Sequence, residues 1–325
     1  MERASANRRK VYLARWLPEL VETRIGERYQ IVRNPTGTAM NGEQLAAGAV
    51  GCAYLFVSAT ETVTRLVFEA LAGTLEAVAT LSVGYDHIDL QAAREHQVAV
   101  FHSPGVLTDA CAEIAMLLLL NAARRGHEGD SMVRSGAWPG WAPTQLLGVG
   151  LVGKRMGILG MGRIGQAVAD RARSFGLQIH YHNRHRLAPD FEKGAVYHES
   201  AEQLLSFSEI FVITAPGSPD LAGFLNHERI SLMPHGAIVV NVARGEMIDD
   251  DALIEALREK RIFAAGLDVF YREPAVDPRY FELENVFLTP HIGSATEGTR
   301  NAMGLILLEG LRDFEAGRYA SNRLC

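Results

Sequence analysis

The chain has 325 residues, of which 48% are hydrophobic and 22% charged, and its formal net charge is -6 with a pI near 6.0. This length predicts two domains, since a domain commonly holds about 100 to 200 residues. The acidic balance argues against a nucleic-acid partner, because such binding depends on clustered basic residues. We expect no membrane span and no signal peptide, since every apolar run is short. Three cysteines without a CxxC pair fit a reducing compartment, so we expect a cytoplasmic protein.

Short β-rich runs alternate with helical stretches over the first hundred residues. Residues 11–13, 54–57 and 98–100 are β-rich, and residues 63–71 have a helical pattern. Such alternation is typical of parallel β-α-β units. The acid-base cluster near Asp89 is interpreted as structural, with Asp89 starting a short helix over residues 90–96.

A long apolar helix is predicted over residues 109–125, with Thr108 or Asp109 placed to cap it. Residues 136–143, GAWPGWAP, then predict a structured loop. Trp138 and Trp141 in this loop favour a subunit contact, because tryptophan is enriched at interfaces, over a crevice of the same subunit. We therefore expect a homodimer.

The alternation restarts at Met156 and marks a second doubly wound unit. Its further strands lie near Leu177, Ile210, Ala237, Ala264 and Val286. One more helix is predicted at about residues 296–316.

The sequence GMGRIG at residues 160–165 lies between a predicted strand and a predicted helix, which is the context that a dinucleotide-binding turn requires. Gly160 permits the tight turn, Gly162 lets a pyrophosphate approach the backbone, and Gly165 lets the helix pack on the strand. The backbone N–H groups of this turn, including those of Arg163 and Ile164, are predicted to face the phosphates.

The strand that follows ends in HNRHR, residues 182–186, where an NAD enzyme normally places a carboxylate on the ribose 2'-hydroxyl. Asn183 can hydrogen-bond a 2'-phosphate, and Arg184 or Arg186 can pair with it. We predict NADP as the cofactor, with NAD as the alternative if these arginines are only a solvated edge. The nearby histidines lack a partner carboxylate at ligand spacing, so no metal site is predicted.

Three later segments each follow a predicted strand, namely NVARG at 241–245, GLDVFYREP at 266–274 and TPHIGSAT at 289–296. The carboxyl ends of parallel strands share one edge, so these loops can meet. Together with SVGYDHID at 82–89 and SPGVLTD at 103–109, they resemble the D-isomer-specific 2-hydroxyacid dehydrogenases. The resemblance is greatest to the glyoxylate/hydroxypyruvate reductases.

The resemblance implies an α/β fold with two Rossmann-like domains, each a doubly wound parallel sheet, and a cleft between them. Residues 1–103 and 293–325 would form a discontinuous substrate-binding domain. Residues 104–292 would form the dinucleotide-binding domain. The implied activity is reduction of a small 2-keto acid, such as glyoxylate or hydroxypyruvate, to the D-2-hydroxy acid.

The resemblance also implies three catalytic residues. Arg244 would bind the substrate carboxylate and keto oxygen, His291 would donate the proton, and Glu273 would be the partner of His291. An imidazolium suits proton donation near neutral pH. A neighbouring carboxylate orients it, and an arginine fork matches a planar carboxylate.

The resemblance implies two further sets of residues. Besides Arg244 and His291, the substrate set contains Val83, Gly84, Asp268 and Ser294. Besides the glycine-rich turn and the strand end, the cofactor set contains Thr108, Ala215, Pro216, Val242, Asp268 and Gly293. Phosphoglycerate dehydrogenase and a dinucleotide-sensing corepressor are the alternatives, and the intact Arg, Glu and His set favours an enzyme.

Overall fold

The computed structural model describes residues 8–325, which divide into two compact units. One unit consists of the described residues up to Leu107 together with Ser294–Cys325, and the other is Thr108–Gly293. The expectation of no signal peptide concerns the N-terminus, where Met1 to Asn7 lie outside the described residues.

The first unit alternates strands and helices along the chain. Its elements are β1 (Lys10–Leu13), α1 (Glu19–Gly26), β2 (Gln30–Arg33), α2 (Gly42–Gly48), β3 (Tyr54–Val57), α3 (Arg65–Ala70), β4 (Ala77–Thr80), α4 (Leu90–Glu95) and β5 (Ala99–Phe101). The strands form one parallel sheet in the order β2-β1-β3-β4-β5.

The burial of each strand explains how apolar its sequence is. Strands β3 and β4 are buried at every position, as apolar strands covered on both faces should be. Strand β2 lies at the sheet edge and is only half-buried. Asp89 accepts a hydrogen bond from the N–H of Ala92 at 2.8 Å, which confirms the prediction that it starts α4.

The second unit contains the longer part of the fold. Its elements are α5 (Thr108–Arg124), α6 (Gly126–Arg134), β6 (Arg155–Leu159), α7 (Arg163–Ser174), β7 (Gln178–His182), α8 (Pro189–Glu192), β8 (Val196–Tyr197), α9 (Ala201–Phe207), β9 (Ile210–Ile213), α10 (His227–Leu232), β10 (Ala237–Asn241), α11 (Asp250–Arg258), β11 (Ile262–Leu267) and β12 (Val286–Leu288). The strand order is β12-β11-β10-β9-β6-β7-β8, and every pair is parallel.

Helix α5 is buried along most of its length, as the sequence predicted, and it packs against α7, β10 and β11. The contact with β11 is close, because a Cβ at Gly266 would lie 2.7 Å from Leu118 Cβ. Thr108 and Asp109 lie within the first turn of this helix instead of preceding it. Helix α12 (Glu297–Glu315) follows the second unit and belongs to the first.

Two parallel sheets with flanking helices confirm the predicted α/β fold with two Rossmann-like, doubly wound units. No helix among residues 8–325 is long and apolar enough to serve as a membrane span.

Candidate active site

The strand order of the second unit reverses between β6 and β9. These strands are direct neighbours, and their last paired residues are Leu159 and Ile213. In doubly wound sheets, ligands bind outside the carboxyl ends of the strands at such a reversal. The glycine-rich turn follows β6 and the segment 214–216 follows β9, so both lie where a dinucleotide is expected.

The three glycines of the turn occupy different surroundings. Gly160 has φ +94°, and a Cβ there would lie 2.4 Å from Ala215 Cα. A Cβ at Gly165 would lie 2.5 Å from the carbonyl oxygen of Gly160. A Cβ at Gly162 would meet nothing within 4 Å, so this glycine borders open space. The tight turn, the close helix and the open approach that the motif predicts are therefore all present.

The start of α7 is suited to an anion. Gly162 precedes the helix, and no side chain caps the helix at this residue. The first N–H groups of a helix carry partial positive charge and bind phosphate when they are not otherwise used. A dinucleotide pyrophosphate fits this turn, with the open space at Gly162 beside the uncapped helix start.

The end of β7 carries the residues predicted to select the cofactor. Asn183 Oδ1 accepts a hydrogen bond of 2.6 Å from the N–H of Met161, which ties the strand end to the glycine-rich turn. Arg186 donates two hydrogen bonds to Glu192, of 2.8 and 3.1 Å. Arg184 is exposed and has no polar partner among the described residues. Of these two arginines, Arg184 is therefore the one available to an anionic ligand.

The histidines near this strand end contact one another and the backbone. His180 Nδ1 and His198 Nε2 are 2.9 Å apart and their rings are stacked, while His182 Nδ1 contacts the carbonyl oxygen of His198. Among residues 8–325, no group of three His, Cys, Asp or Glu side chains is placed to hold a metal ion.

Arg244 follows β10 in a loop that is fixed by a buried asparagine. Asn241 accepts from the N–H of Ala243 at 3.0 Å and donates to the carbonyl oxygen of Arg244 at 2.9 Å. A Cβ at Gly245 would lie 1.9 Å from the carbonyl carbon of Phe270. The Arg244 loop therefore rests directly on the backbone of the loop that carries Glu273.

Glu273 and His291 form a direct contact. His291 Nδ1 lies 2.7 Å from Glu273 Oε2, and Glu273 Oε1 accepts the N–H of Phe270 at 2.9 Å. Burial opposes ionisation of Glu273, but the hydrogen bond and charge of His291, with smaller effects from Phe270 and Arg244, hold the pKa of Glu273 below its usual range. An ionised Glu273 accepts the Nδ1 proton and leaves Nε2 of the half-exposed His291 for a reactant.

Asp268 has a role that the sequence reasoning did not identify. Its buried carboxylate accepts three hydrogen bonds from the His291 loop, from Thr289 Oγ1 at 2.6 Å and from the N–H groups of Ile292 and Gly293 at 2.8 Å each. Burial raises the pKa of Asp268, although these bonds and the charge of His291 oppose the effect. Asp268 thus holds the loop that carries His291. The only sequence feature that points to this role is an aspartate directly after a buried strand.

The other predicted residues are divided between the units. Val83, Gly84 and Ser294 belong to the first unit, and Thr108, Ala215, Pro216, Val242 and Gly293 belong to the second. Ala215 packs on Gly160, and the N–H of Val242 donates to the carbonyl oxygen of Ile213 at 3.3 Å. These positions stay predictions as ligand contacts.

The fold and these loops define a nicotinamide-dinucleotide-dependent dehydrogenase. The family model of the D-isomer specific 2-hydroxyacid dehydrogenase NAD-binding domain matches residues 116–293. The chain belongs to this family, whose members act on 2-keto and 2-hydroxy acids.

Relatives support the assignment over nearly the whole chain. A glyoxylate reductase from Thermococcus kodakarensis is 41% identical over 316 residues, covering 95% of this chain and 94% of the relative. A D-isomer specific 2-hydroxyacid dehydrogenase structure from Polaromonas sp. has a TM-score of 0.94 and 55% identity, covering 98% and 100% of the two chains. The NADPH-dependent glyoxylate/hydroxypyruvate reductase of Sinorhizobium meliloti, solved with NADP and malonate, has a TM-score of 0.88 and 30% identity, covering 98% and 97%.

Proposed function

We propose that this protein reduces glyoxylate or hydroxypyruvate to the D-2-hydroxy acid with NADPH. The observation that carries the proposal is the His291–Glu273 contact of 2.7 Å, with Arg244 on a loop packed against the loop of Glu273. A proton donor, its carboxylate partner and a guanidinium are the groups that reduction of a 2-keto acid needs. Relatives named glyoxylate reductase support the substrate class.

Each residue has a defined part in this reaction. The bound nicotinamide supplies a hydride. His291 donates the proton from Nε2 to the keto oxygen, while Glu273 keeps the ring oriented through Nδ1 and stabilises the imidazolium. Arg244 binds the substrate carboxylate with its planar fork and stabilises charge that develops on the keto oxygen. Asp268 keeps the His291 loop in place through its three hydrogen bonds.

The choice of NADPH rests on the end of β7. No carboxylate occupies residues 182–186, so nothing there repels a 2'-phosphate. Arg184 supplies a cation that has no polar partner in the described part of the chain, and Asn183 holds the strand end on the turn through Met161. The Sinorhizobium meliloti relative, which is NADPH-dependent by name, supports this choice.

A steady-state panel tests the proposed function. Glyoxylate, hydroxypyruvate, pyruvate and 3-phosphohydroxypyruvate are each assayed with NADPH and with NADH. We expect the highest kcat/KM with NADPH and one of the first two acids, and a D-configured product on chiral chromatography. Preference for the phosphorylated acid would assign a phosphoglycerate dehydrogenase activity, and turnover with no 2-keto acid would point to a dinucleotide-sensing binding protein.

We also propose a homodimer in the cytoplasm. Trp138 is 54% exposed and Trp141 is 81% exposed, and the preceding helix α6 has no buried residue. Such large aromatic side chains are typical of subunit interfaces. All three cysteines are free thiols in the structure, as in a reducing compartment.

A further inference from the structure

The loop after β4 is hydrogen-bonded through its carbonyl groups to the residues that follow β5. The N–H of Ser103 donates to the carbonyl oxygen of Ser82 at 2.9 Å. His102 Nδ1 lies 2.9 Å from the carbonyl oxygen of Val83, and a carbonyl can only accept, so Nδ1 carries the proton. Two consecutive carbonyl groups of this loop are thus held by neighbouring residues of one segment.

These two bonds determine where the next N–H groups point. In a trans peptide the N–H is antiparallel to the C=O of the same unit. The peptide that begins at the Ser82 carbonyl ends in the N–H of Val83, and the peptide that begins at the Val83 carbonyl ends in the N–H of Gly84. Both N–H groups therefore point away from the segment of His102 and Ser103. Among residues 8–325, neither of them donates a hydrogen bond.

Successive free N–H groups on one side of a loop form a concavity that binds anions. A donor on a peptide carbonyl also polarises that peptide and strengthens its N–H as a donor. The His102 ring therefore acts on the N–H of Gly84 through the Val83 carbonyl. The His102 ring packs edge-on against the Tyr85 ring, with 5.8 Å between the ring centroids, and this contact limits its rotation.

A chain of side chains fixes the far end of the same loop. Ser82 Oγ donates to the carbonyl oxygen of Gly84 at 2.6 Å, so its only proton is used. The buried Thr80 hydroxyl, 2.7 Å away, must then donate to Ser82. By the same count His87 Nε2, 2.9 Å from Thr80 Oγ1, is the donor to Thr80. All three bonds run in one direction and end on the carbonyl of Gly84.

We propose that His102 is a positioning residue for binding of the substrate carboxylate. It aims and polarises the N–H of Gly84 from behind, while Ser82, Thr80 and His87 lock the adjoining peptide. This inference rests on the proposed function and on the expectation that Val83 and Gly84 belong to the substrate set, so that their N–H groups receive the carboxylate of the 2-keto acid. His102 touches neither the substrate nor the coenzyme in this role, so its effect falls on affinity and not on the proton or hydride step.

The test compares His102→Phe with His102→Asn. Phenylalanine keeps a ring facing Tyr85 but has no donor, whereas Asn Nδ2 has the same reach from the backbone as His Nδ1. Binding of oxamate, a non-reducible mimic of a 2-keto acid, to the NADPH complex is measured by calorimetry, and glyoxylate turnover is measured in parallel. For His102→Phe we expect the oxamate Kd and the glyoxylate KM to rise about 3- to 10-fold, the scale of one lost hydrogen bond.

The expected result has three further parts. Saturating kcat and the NADPH Kd stay near the wild-type values, and His102→Asn recovers most of the oxamate affinity. The matched control His96→Phe, at the end of α4 in the same unit, leaves every constant unchanged. Unchanged oxamate affinity in His102→Phe would overturn the inference, as would a fall in kcat with affinity intact.

The two proposals fail separately in this experiment. If the wild-type protein turns over glyoxylate but His102→Phe binds oxamate normally, only the role of His102 is wrong. If the wild-type protein neither turns over a 2-keto acid nor binds oxamate, both proposals are wrong. Oxamate binding requires no catalysis, so the comparison of variants is decisive even for a slow enzyme.

Discussion

A histidine can donate a proton efficiently only when its ring is held in one orientation. Glu273 meets this condition for His291 because the same carboxylate is bound at one oxygen by the imidazole and at the other by the N–H of Phe270. The carboxylate cannot rotate without losing one of these bonds. The pair is therefore preorganised before substrate arrives.

The first prediction concerns this pair. His291→Ala should lower kcat by about 100- to 10,000-fold, the usual contribution of a general acid, while NADPH still binds. Glu273→Gln should lower kcat less, because the imidazole remains but loses its orienting charge. Stopped-flow hydride transfer and fluorescence titration of NADPH measure the two effects. Wild-type kcat in His291→Ala would rule out the proposed mechanism.

The second prediction separates the two arginines after β7. Arg184→Ala should raise the NADPH KM about 3- to 10-fold, with little change for NADH, because a cation that pairs with no residue from 8 to 325 can bind a phosphate. Arg186→Ala should have a smaller effect on NADPH, since Arg186 is already bound to Glu192. Equal losses for both coenzymes in Arg184→Ala would contradict the assignment.

At this scale, one contact predicted from the ordered motifs is present in the structure, whereas the catalytic roles assigned to the motif residues stay predictions. Arg244, Glu273 and His291 stand in ordered motifs, and the structure places Glu273 against His291. The pairing of Arg186 with Glu192 depends on how the chain folds back after β7, which no spacing reveals. The positioning roles of Asp268 and His102 likewise depend on contacts between separate loops.

Among the structural elements, the turn between β6 and α7 shows how different glycines can serve one site. No side chain fits at Gly160 or Gly165, because a Cβ there would lie 2.4 or 2.5 Å from backbone atoms. Gly162 faces open space, and its φ of -80° is accessible to any residue. The fold therefore leaves the space beside Gly162 empty, and we expect only a bound dinucleotide to fill it.

The third prediction follows from this difference. Gly162→Ala should fold with a Tm close to that of the wild type, because the added methyl group meets nothing in the protein. The coenzyme Kd should rise at least about tenfold, since the methyl group occupies the approach of the pyrophosphate. Gly165→Ala places a Cβ 2.5 Å from the Gly160 carbonyl oxygen and should instead lower the Tm. Calorimetry and thermal melting distinguish the two outcomes.

The stacked His180 and His198 pair joins β7 to the segment after β8. Burial lowers the pKa of both histidines, and the neighbouring charges of His198 and Arg155 lower that of His180 further, while His182 does so for His198. The unfolded chain therefore takes up protons first as pH falls. Stability is present above the unfolded pKa near 6.5 and is lost as pH falls below it.

The fourth prediction is a pH dependence of unfolding. Between pH 7.5 and 5.5 the free energy of unfolding should fall, by at most about 1.4 kcal/mol per histidine for each pH unit below 6.5. The double variant His180→Gln/His198→Gln should show a smaller fall. Urea titrations at several pH values measure both proteins, and an equal fall in the two would show that the pair does not contribute.

Sequence patterns predicted most of the strands that are buried throughout, but not β4, and they predicted neither β2 nor α6. Strands β3, β9 and β10 are buried throughout and stand out as apolar runs. The edge strand β2 is half-buried, and α6 has no buried residue, so neither has a strong periodic signal. Their positions follow from neighbours in the fold.

At the scale of the whole molecule, one of the two units is discontinuous in sequence, because it contains residues from both ends of the described chain. Residues Ser294–Cys325 return to the unit that the chain began. Within that unit, the N–H of Leu324 donates to the carbonyl oxygen of Val100 at 2.7 Å, which covers the outer edge of β5. A covered edge strand resists pairing with other chains.

The fifth prediction concerns assembly. Trp141→Asp should shift the protein toward monomers in sedimentation velocity, because a charge in an aromatic interface is costly. Tyr319→Asp, at an 88% exposed position outside the tryptophan loop, is the matched control and should leave the assembly unchanged. A wild-type protein that sediments as a monomer at micromolar concentration would contradict the proposed homodimer.

The contact at Gly245 has a consequence for engineering. Because the main chains of the two loops meet there without an intervening side chain, a shift in one backbone is passed directly to the other. A graft that replaces the segment bearing Arg244 must bring along the 268–274 segment from the same donor. Chimeras that exchange only one of the two segments would combine loop backbones that do not fit each other.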